Sequence, residues 1–385
     1  MLIKEWFLYL SRRQKVIFFS TLMLMALIVI AGYTIVPPSQ EKKEFDYSID
    51  MSMKELAPKL GVTGKALAKE LKLPLDTPKM KPLKTFDIKD KQLEHVVEHL
   101  LSHIDTTVKY FFYGALFLGG LIYLLMLGIP ENAPAGKRRF HYPPMFYTLF
   151  MLASVIFTGF MLGKSPNPME GIVKVFKSMV GLYPDPFNKV KAFIFFIILA
   201  IIGNKIICGW ACPMGALQEL IYKLPLLKKI KSKKLPFVLT NTIRAGVFII
   251  MLLFLFGVVG SKRGMVIYHY INPFNLFNLE FELQSILIAV DIILVFSFFI
   301  YRPFCQFICP FGFVSWIAER ISIFRIRIDK EKCTECGACI KACPLEAAKG
   351  RVSGKIAPAD CFSCARCLKV CPVDAVKYAA VTMKL

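Results

Sequence analysis

The sequence predicts an all-α polytopic membrane protein of about six transmembrane helices that ends in a small α+β domain. Three observations carry that fold class. The 385-residue chain is 56% hydrophobic, with a mean hydropathy of +0.54. Six of its apolar runs reach the roughly 20 residues that a helix needs to cross a bilayer. Eight of its twelve cysteines fall between positions 333 and 371, in two runs of identical spacing.

Residues 1–36 read as a membrane anchor. The apolar run from Val16 to Val36 follows Lys4, Arg12, Arg13 and Lys15 and lacks a small-residue cleavage site. It is therefore expected to be an uncleaved helix with the N-terminus inside. Arg12–Arg13 resembles a twin-arginine signal only weakly, because Gln14 and Lys15 follow. Residues 37–107 form a polar outer insert with twelve lysines and twelve acidic residues. Met51–Leu60 and Thr63–Leu73 read as short helices broken at Gly61, with Thr63 as N-cap and Pro74 as stop. A small helical docking module suits this position better than a DNA-binding helix-turn-helix. Over residues 92–104, His95, His99 and His103 recur every four residues, opposite Val96, Val97, Leu100, Leu101 and Ile104. That spacing suits a metal or haem ligand or a proton relay, although a solvated helix face needs only the same pattern.

Residues 108–324 are expected to be the membrane core, with spans at 108–129, 143–163, 190–207, 236–259 and 283–303. Lys137, Arg138 and Arg139, then Lys223, Lys228, Lys229, Lys231, Lys233 and Lys234, fall in segments on one side. The loop at 260–282 on the other side has only Lys262 and Arg263, and the loop at 164–189 is a partial exception. This bias puts both termini, and all twelve cysteines, in the cytoplasm. The net charge of +22 flanks spans and suits anionic lipid head groups. It does not form one face, so nucleic acid is not an expected partner. Within the spans, Arg244 and Asp291 are costly enough to mark a polar site or an ion pair facing the bundle interior. His269, between two tyrosines, could meet a quinone head group or merely sit at the interface. No nucleophile–base pair supports hydrolysis.

Residues 325–385 carry the terminal domain. Cys333, Cys336, Cys339 and Cys343 read C-x2-C-x2-C-x3-C-P, and Cys361, Cys364, Cys367 and Cys371 repeat it. This is the spacing of a bacterial dicluster ferredoxin, in which the fourth cysteine of each run crosses to the other cluster. Cys333, Cys336, Cys339 and Cys371 would hold one [4Fe-4S] cluster, and Cys343, Cys361, Cys364 and Cys367 the second. Zinc is the competing reading of any C-x2-C pair, but two complete runs in tandem are far more specific. Gly337, Ala338 and Ala365 leave room for a cofactor near the backbone.

The remaining cysteines form a second pair of motifs, Cys208-x3-Cys212-Pro213-x-Gly215 and Cys305-x3-Cys309-Pro310-x-Gly312. Lys205 and Arg302 each precede the first cysteine by three, so the two motifs form an internal repeat. Four cysteines at the inner ends of two spans make a thiolate set for a third [4Fe-4S] cluster. Unligated thiols are the alternative. Lys205, Arg302, Lys341 and Arg366 are candidates for tuning cluster potentials by charge.

The order of two membrane C-x3-C-P motifs and a dicluster ferredoxin resembles the NapH-type quinol dehydrogenase family, over about residues 140–385. NosR-type and CcoG-type membrane iron–sulfur proteins share this core. The insert is short for the flavin-bearing domain of the NosR type. The chain's end leaves no room for the extra domain of the CcoG type. The resemblance implies a multi-pass protein of the bacterial inner membrane that passes electrons between quinone and other redox subunits. The expected quinone site is in the inner half of the membrane near Arg244. A CcoG-like cupric reductase and a non-catalytic anchor for a redox complex are the other readings.

Overall fold

The computed structural model describes residues 3–35, 47–60, 64–71, 73–74, 77–86, 88–101, 107–132, 144–182, 186–225, 231, 234–259, 265–279, 281, 284–355 and 359–382. Gly61, Thr63, His103, Ile104, Lys137, Arg138, Arg139, Lys228, Lys229, Lys233, Lys262 and Arg263 lie outside the described residues.

Among the described residues, three helices are long and apolar enough to cross a membrane: Arg12–Ile35, Val108–Leu127 and Phe237–Phe256. The first opens with a capping box. Ser11 Oγ accepts from the Gln14 amide, and Gln14 Oε1 accepts from the Ser11 amide, each at 3.2 Å. Arg12 and Arg13 are thus the first turn of a helix. Gln14 also donates to the carbonyls of Met126 and Ile129 at 3.0 and 2.6 Å, which fastens this helix to the end of the second. The third helix stops at Gly257, whose φ of 73° supplies a left-handed C-cap.

Three further apolar helices, Phe146–Met161, Val190–Gly203 and Gln284–Ser297, are shorter. At 1.5 Å per residue the 14 residues of Gln284–Ser297 measure about 21 Å and the 18 of the full helix Pro186–Gly203 about 27 Å, less than the roughly 30 Å of the hydrocarbon layer. Their apolar runs continue in the sequence, but the helices do not. Asn204, Lys205 and Arg302 take φ values of 48°, 59° and 49°. Left-handed backbone ends a helix whatever the hydropathy of the residues that follow. Gly203 stops beside Phe117, ten residues before the Val108–Leu127 helix ends, or about 15 Å.

Beyond each break the chain turns back into the bundle. A π turn, Ile207–Ala211, leads to the helix Pro213–Lys223. The short helix Pro303–Phe307 leads to Pro310–Ala318. Proline at the first helical position suits each start, because its missing N–H would be unpaired there anyway. The Ala211 carbonyl accepts from the hydroxyls of Ser154 and Thr158 at 2.5 and 3.1 Å. Tyr268, from the loop at the opposite end of the bundle, donates to the Ile308 carbonyl at 2.9 Å. The loop before Pro186 also contains an unexpected helix, Pro168–Met179. Asn167 caps it by accepting from the Glu170 amide at 2.9 Å.

The terminal domain pairs the strands Phe324–Ile328 and Val376–Ala380 antiparallel, with Phe324 opposite Ala380. Its helices are Ala338–Ala342, Ala347–Val352 and Arg366–Val370. It shares one continuous apolar core with the membrane helices. The Ile323 amide donates to the Ile201 carbonyl at 2.8 Å, and the Tyr378 hydroxyl to the Gly203 carbonyl at 3.0 Å. The domain is therefore seated where the short helix stops. The insert has its own core around Met53, Leu56, Leu67, Leu71, Leu83 and Val97. Its two expected short helices run Met53–Lys59 and Gly64–Glu70.

Candidate iron–sulfur site

The terminal repeat shows in the backbone as well as in the sequence. Glu335 and Ser363, two residues into each run, have φ of 51° and 50°. Gly337 and Ala365, at 72° and 61°, precede the short helices that carry the next cysteines. These kinks wrap each run around a cavity. One cavity is lined by Cys333, Cys336, Cys339 and Cys371, with Pro372. The other is lined by Cys343, Cys361, Cys364 and Cys367, with Pro344, and Cys339 borders it as well. Cys339 lies within electrostatic reach of Cys371, Cys333 and Cys336, and Cys367 of Cys361, Cys364 and Cys343. This arrangement is compatible with the crossed ferredoxin spacing.

Backbone amides face the sulfurs. Ala375 donates to Cys371 Sγ at 3.2 Å, and the amides of Ala348 and Leu345 oppose the upward push of burial on the Cys343 thiol. Burial likewise raises Cys361 and Cys364. A metal is then needed to draw the thiolates out. Among the described residues no three of His, Cys, Asp or Glu converge on a single ion. The cysteines stand around cavities, an arrangement that fits a cluster held at its corners. Cys336 is exposed and Cys333 half-buried, so the first cavity opens to solvent.

The four remaining cysteines meet inside the bundle, each buried to 8 or 9% exposure. Cys208 lies in electrostatic reach of Cys212, Cys309 and Cys305. The sequence places both pairs where spans leave the membrane. The structure instead carries them on the returning limbs of two hairpins, because the left-handed residues reverse the chain. The Gly312 amide donates to Cys309 Sγ at 3.4 Å. A Cβ on Gly215 would stand 2.7 Å from the Cys208 carbonyl oxygen, and one on Gly312 2.8 Å from that of Cys305. Only glycine allows these turns to close.

A charged clasp crosses between the repeats. Arg302 donates to the carbonyls of Cys208 and Gly209 at 2.6 and 2.9 Å, and Lys205 to the Gly312 carbonyl at 3.2 Å. Arg302 is held by Glu219 at 2.7 Å, which also pairs with Arg366 at 3.0 Å. Lys205 is paired with Asp360, which accepts from Arg244 at 2.9 Å. Burial would raise the Asp360 carboxyl, but Arg244 and Lys205 hold it below the usual range. Glu319 is pushed up by burial to about 7, against the pull of Arg351 and Lys205.

Through these contacts the second cysteine run docks on the first membrane motif. Trp210 Nε1 donates to the Ser363 carbonyl at 3.0 Å, and Ser363 Oγ to the Asn204 carbonyl at 2.9 Å. Gly209 packs so closely on Phe362 that a Cβ would collide with its carbonyl oxygen.

The expected pairing of Arg244 with Asp291 is not what forms. Arg244 faces inward, but its partners are Asp360, Asn241 at 2.5 Å and the Cys305 carbonyl at 3.0 Å. Asp291 is exposed. The buried residues of its helix are Ile286, Val290, Ile293 and Ser297, a helical stripe that leaves position 291 on the outer side. Both Nη atoms of Arg244 are engaged, while its buried Nε has no partner among the described residues. Of the charge candidates, Lys205, Arg302 and Arg366 join the clasp, while Lys341 is exposed. His95 and His269 are also exposed. His99 lies on the helix Asp90–Leu101. Glu219 and Asp360 carried no sequence signal, since their partners lie 83 and 116 residues away.

Comparison with known proteins agrees with this geometry. A 4Fe-4S binding domain matches residues 192–234 and 283–330, the two hairpins. A 4Fe-4S dicluster domain matches residues 325–372. An uncharacterized protein of Methanocaldococcus jannaschii is 30% identical over 199 residues, covering 52% of this chain and 72% of that one. The regulatory protein NosR of Stutzerimonas stutzeri is 32% identical over 151 residues, 38% of this chain and 20% of that one. The ferredoxin-type protein NapH of Haemophilus influenzae is 27% identical over 169 residues, 42% of this chain and 55% of that one. No solved structure matches. With 4Fe-4S domains at both cysteine sites and apolar helices that can cross a membrane, the chain belongs to the NapH- and NosR-like family of membrane ferredoxin-type proteins and is an iron–sulfur electron-transfer protein.

Proposed function

We propose that the protein passes electrons between the membrane quinone pool and redox partner proteins, using three [4Fe-4S] centres. When bound, the clusters would supply one-electron storage and transfer. Cys333, Cys336, Cys339 and Cys371 would hold one centre, and Cys343, Cys361, Cys364 and Cys367 the next. Cys208, Cys212, Cys305 and Cys309 would hold the third. The observation that carries this reading is the docking of the Asp360–Arg366 loop directly on Gly209 and Trp210. It sets the second cysteine set against the membrane set and leaves the first, with Cys336 exposed, facing a soluble partner. The reading keeps the ferredoxin domain in the cytoplasm and the chain in the bacterial inner membrane. It divides the chain at 1–36, 37–107, 108–324 and 325–385.

In this reading the residues do distinct work. Amides at Gly312 and Ala375 stabilise thiolates, apolar walls exclude water, and the clasp fixes the distance between sets. Burial of all four membrane cysteines argues against the copper-reductase alternative, which needs thiolates that an incoming ion can reach. Quinol meets the membrane set from the end where Tyr268 donates to Ile308.

Anaerobically purified protein is expected to hold about 12 irons per chain. Cys208→Ser or Cys305→Ser should lose about four of them while the dicluster spectrum persists. Quinol should bleach the visible iron–sulfur absorption of the single chain. About 8 irons with four titratable thiols would remove the third centre, and no response to quinol would remove the quinone role.

A further inference from the structure

The four membrane cysteines are surrounded by more positive charge than the protein neutralises. Lys109, Lys205, Arg244 and Arg302 are each 0% exposed. Each lies in electrostatic reach of these sulfurs: Lys205 of Cys208, Arg302 and Lys109 of Cys212, Arg302 of Cys305, and Arg244 of Cys309. The fully buried carboxylates bonded to them are Glu219 and Asp360. Four basic side chains against two carboxylates leave the basic groups in excess. The nearby groups do not cancel it: Glu319, in reach of Lys205, is already paired with Arg351. Glu170, which faces Lys109, is already paired with Lys174 at 2.6 Å. Arg366 adds a further cation to Glu219. Lys109 itself donates to the Gly163 carbonyl, at 2.5 Å, and lies 5.8 Å from the Tyr113 ring.

Unbalanced charge in a dry interior costs several kcal/mol per ion. Four neutral thiols would leave that cost standing. A [4Fe-4S] cube in a shell of four thiolates is a dianion, and it matches the excess in sign. We propose that Lys109, Lys205, Arg244 and Arg302 are the built-in counter-charge of a dianionic centre on Cys208, Cys212, Cys305 and Cys309, and that they raise its reduction potential. This rests on the third centre proposed above. One-electron reduction by an added reductant makes the centre more negative, so each buried cation favours the reduced form. Lys109 serves this centre alone, because it lies on the side away from the ferredoxin domain. It acts through the field, as a positioning residue for charge rather than a ligand.

The test is a potentiometric titration with dithionite, followed by electron paramagnetic resonance, on wild type, Lys109→Met, Lys109→Arg and Lys205→Met. Lys109→Met is expected to make reduction of the membrane centre at least tenfold less favourable, 59 mV for one electron. The two ferredoxin centres should not move, and Lys109→Arg should restore the wild-type value. Lys205→Met leaves Asp360 paired with Arg244, so it folds without a stranded carboxylate and must shift the membrane centre in the same direction. No shift in the membrane centre, a shift to higher potential, or an equal shift in all three centres would overturn the proposal. If wild type holds only two centres, the third-centre reading itself has failed. If it holds three and none moves, only the counter-charge has.

Discussion

At the scale of single residues, the sequence marks chemistry well and partnership poorly. Twelve cysteines in four motifs are readable from spacing alone, since cluster ligation fixes the local interval between ligands. Arg244 and Asp291 both stand out as charges in apolar runs, yet only one of them is buried. Asp360→Asn should therefore cost about 3–5 kcal/mol, because it strands Lys205 and Arg244 in the interior. Asp291→Asn should stay within about 0.5 kcal/mol, as an exposed change does. Denaturant midpoints of the two purified variants decide this. Equal effects would mean that the Arg244–Asp360 contact is not what anchors the loop.

At the scale of elements, hydropathy located six apolar segments but not their ends. A run of apolar residues looks the same whether the helix continues or reverses, and the reversal is set by backbone angles at Asn204, Lys205 and Arg302. The Pro168–Met179 helix was hidden for a related reason. Its Asn167 cap and Pro168 start were present in the sequence, but the lysines around them read as loop. The hairpins also explain Gly209, whose missing side chain admits the Phe362 carbonyl. Gly209→Ala is expected to destabilise the docked state by about 1–3 kcal/mol through overpacking. Hydrogen exchange should rise across residues 359–366 while the insert is unaffected. Unchanged protection there would show that the loop can yield.

At the scale of the whole molecule, the two cysteine sites form one body because the ferredoxin domain fills the space left by a short helix. The membrane set then lies between that domain and the Tyr268 loop. In the proposed function this moves the quinone site from Arg244 to the Tyr268 end. A photo-reactive quinone should label residues 265–279 rather than the neighbourhood of Arg244, whose Nη atoms are engaged. Labelling confined to residues 241–248 would contradict the placement.

The sequence by itself determined the four cysteine motifs and their internal repeat, the iron–sulfur character of the chain and its apolar segments. Each of these is written in local spacing or in composition. Only the tertiary structure decided that both C-x3-C-P motifs return into the bundle, that Asp360 and Glu219 bridge the two cysteine sites, and that the membrane set sits amid excess positive charge. Those are contacts between residues far apart in the chain, where burial and charge balance choose the partner and no local pattern records the choice.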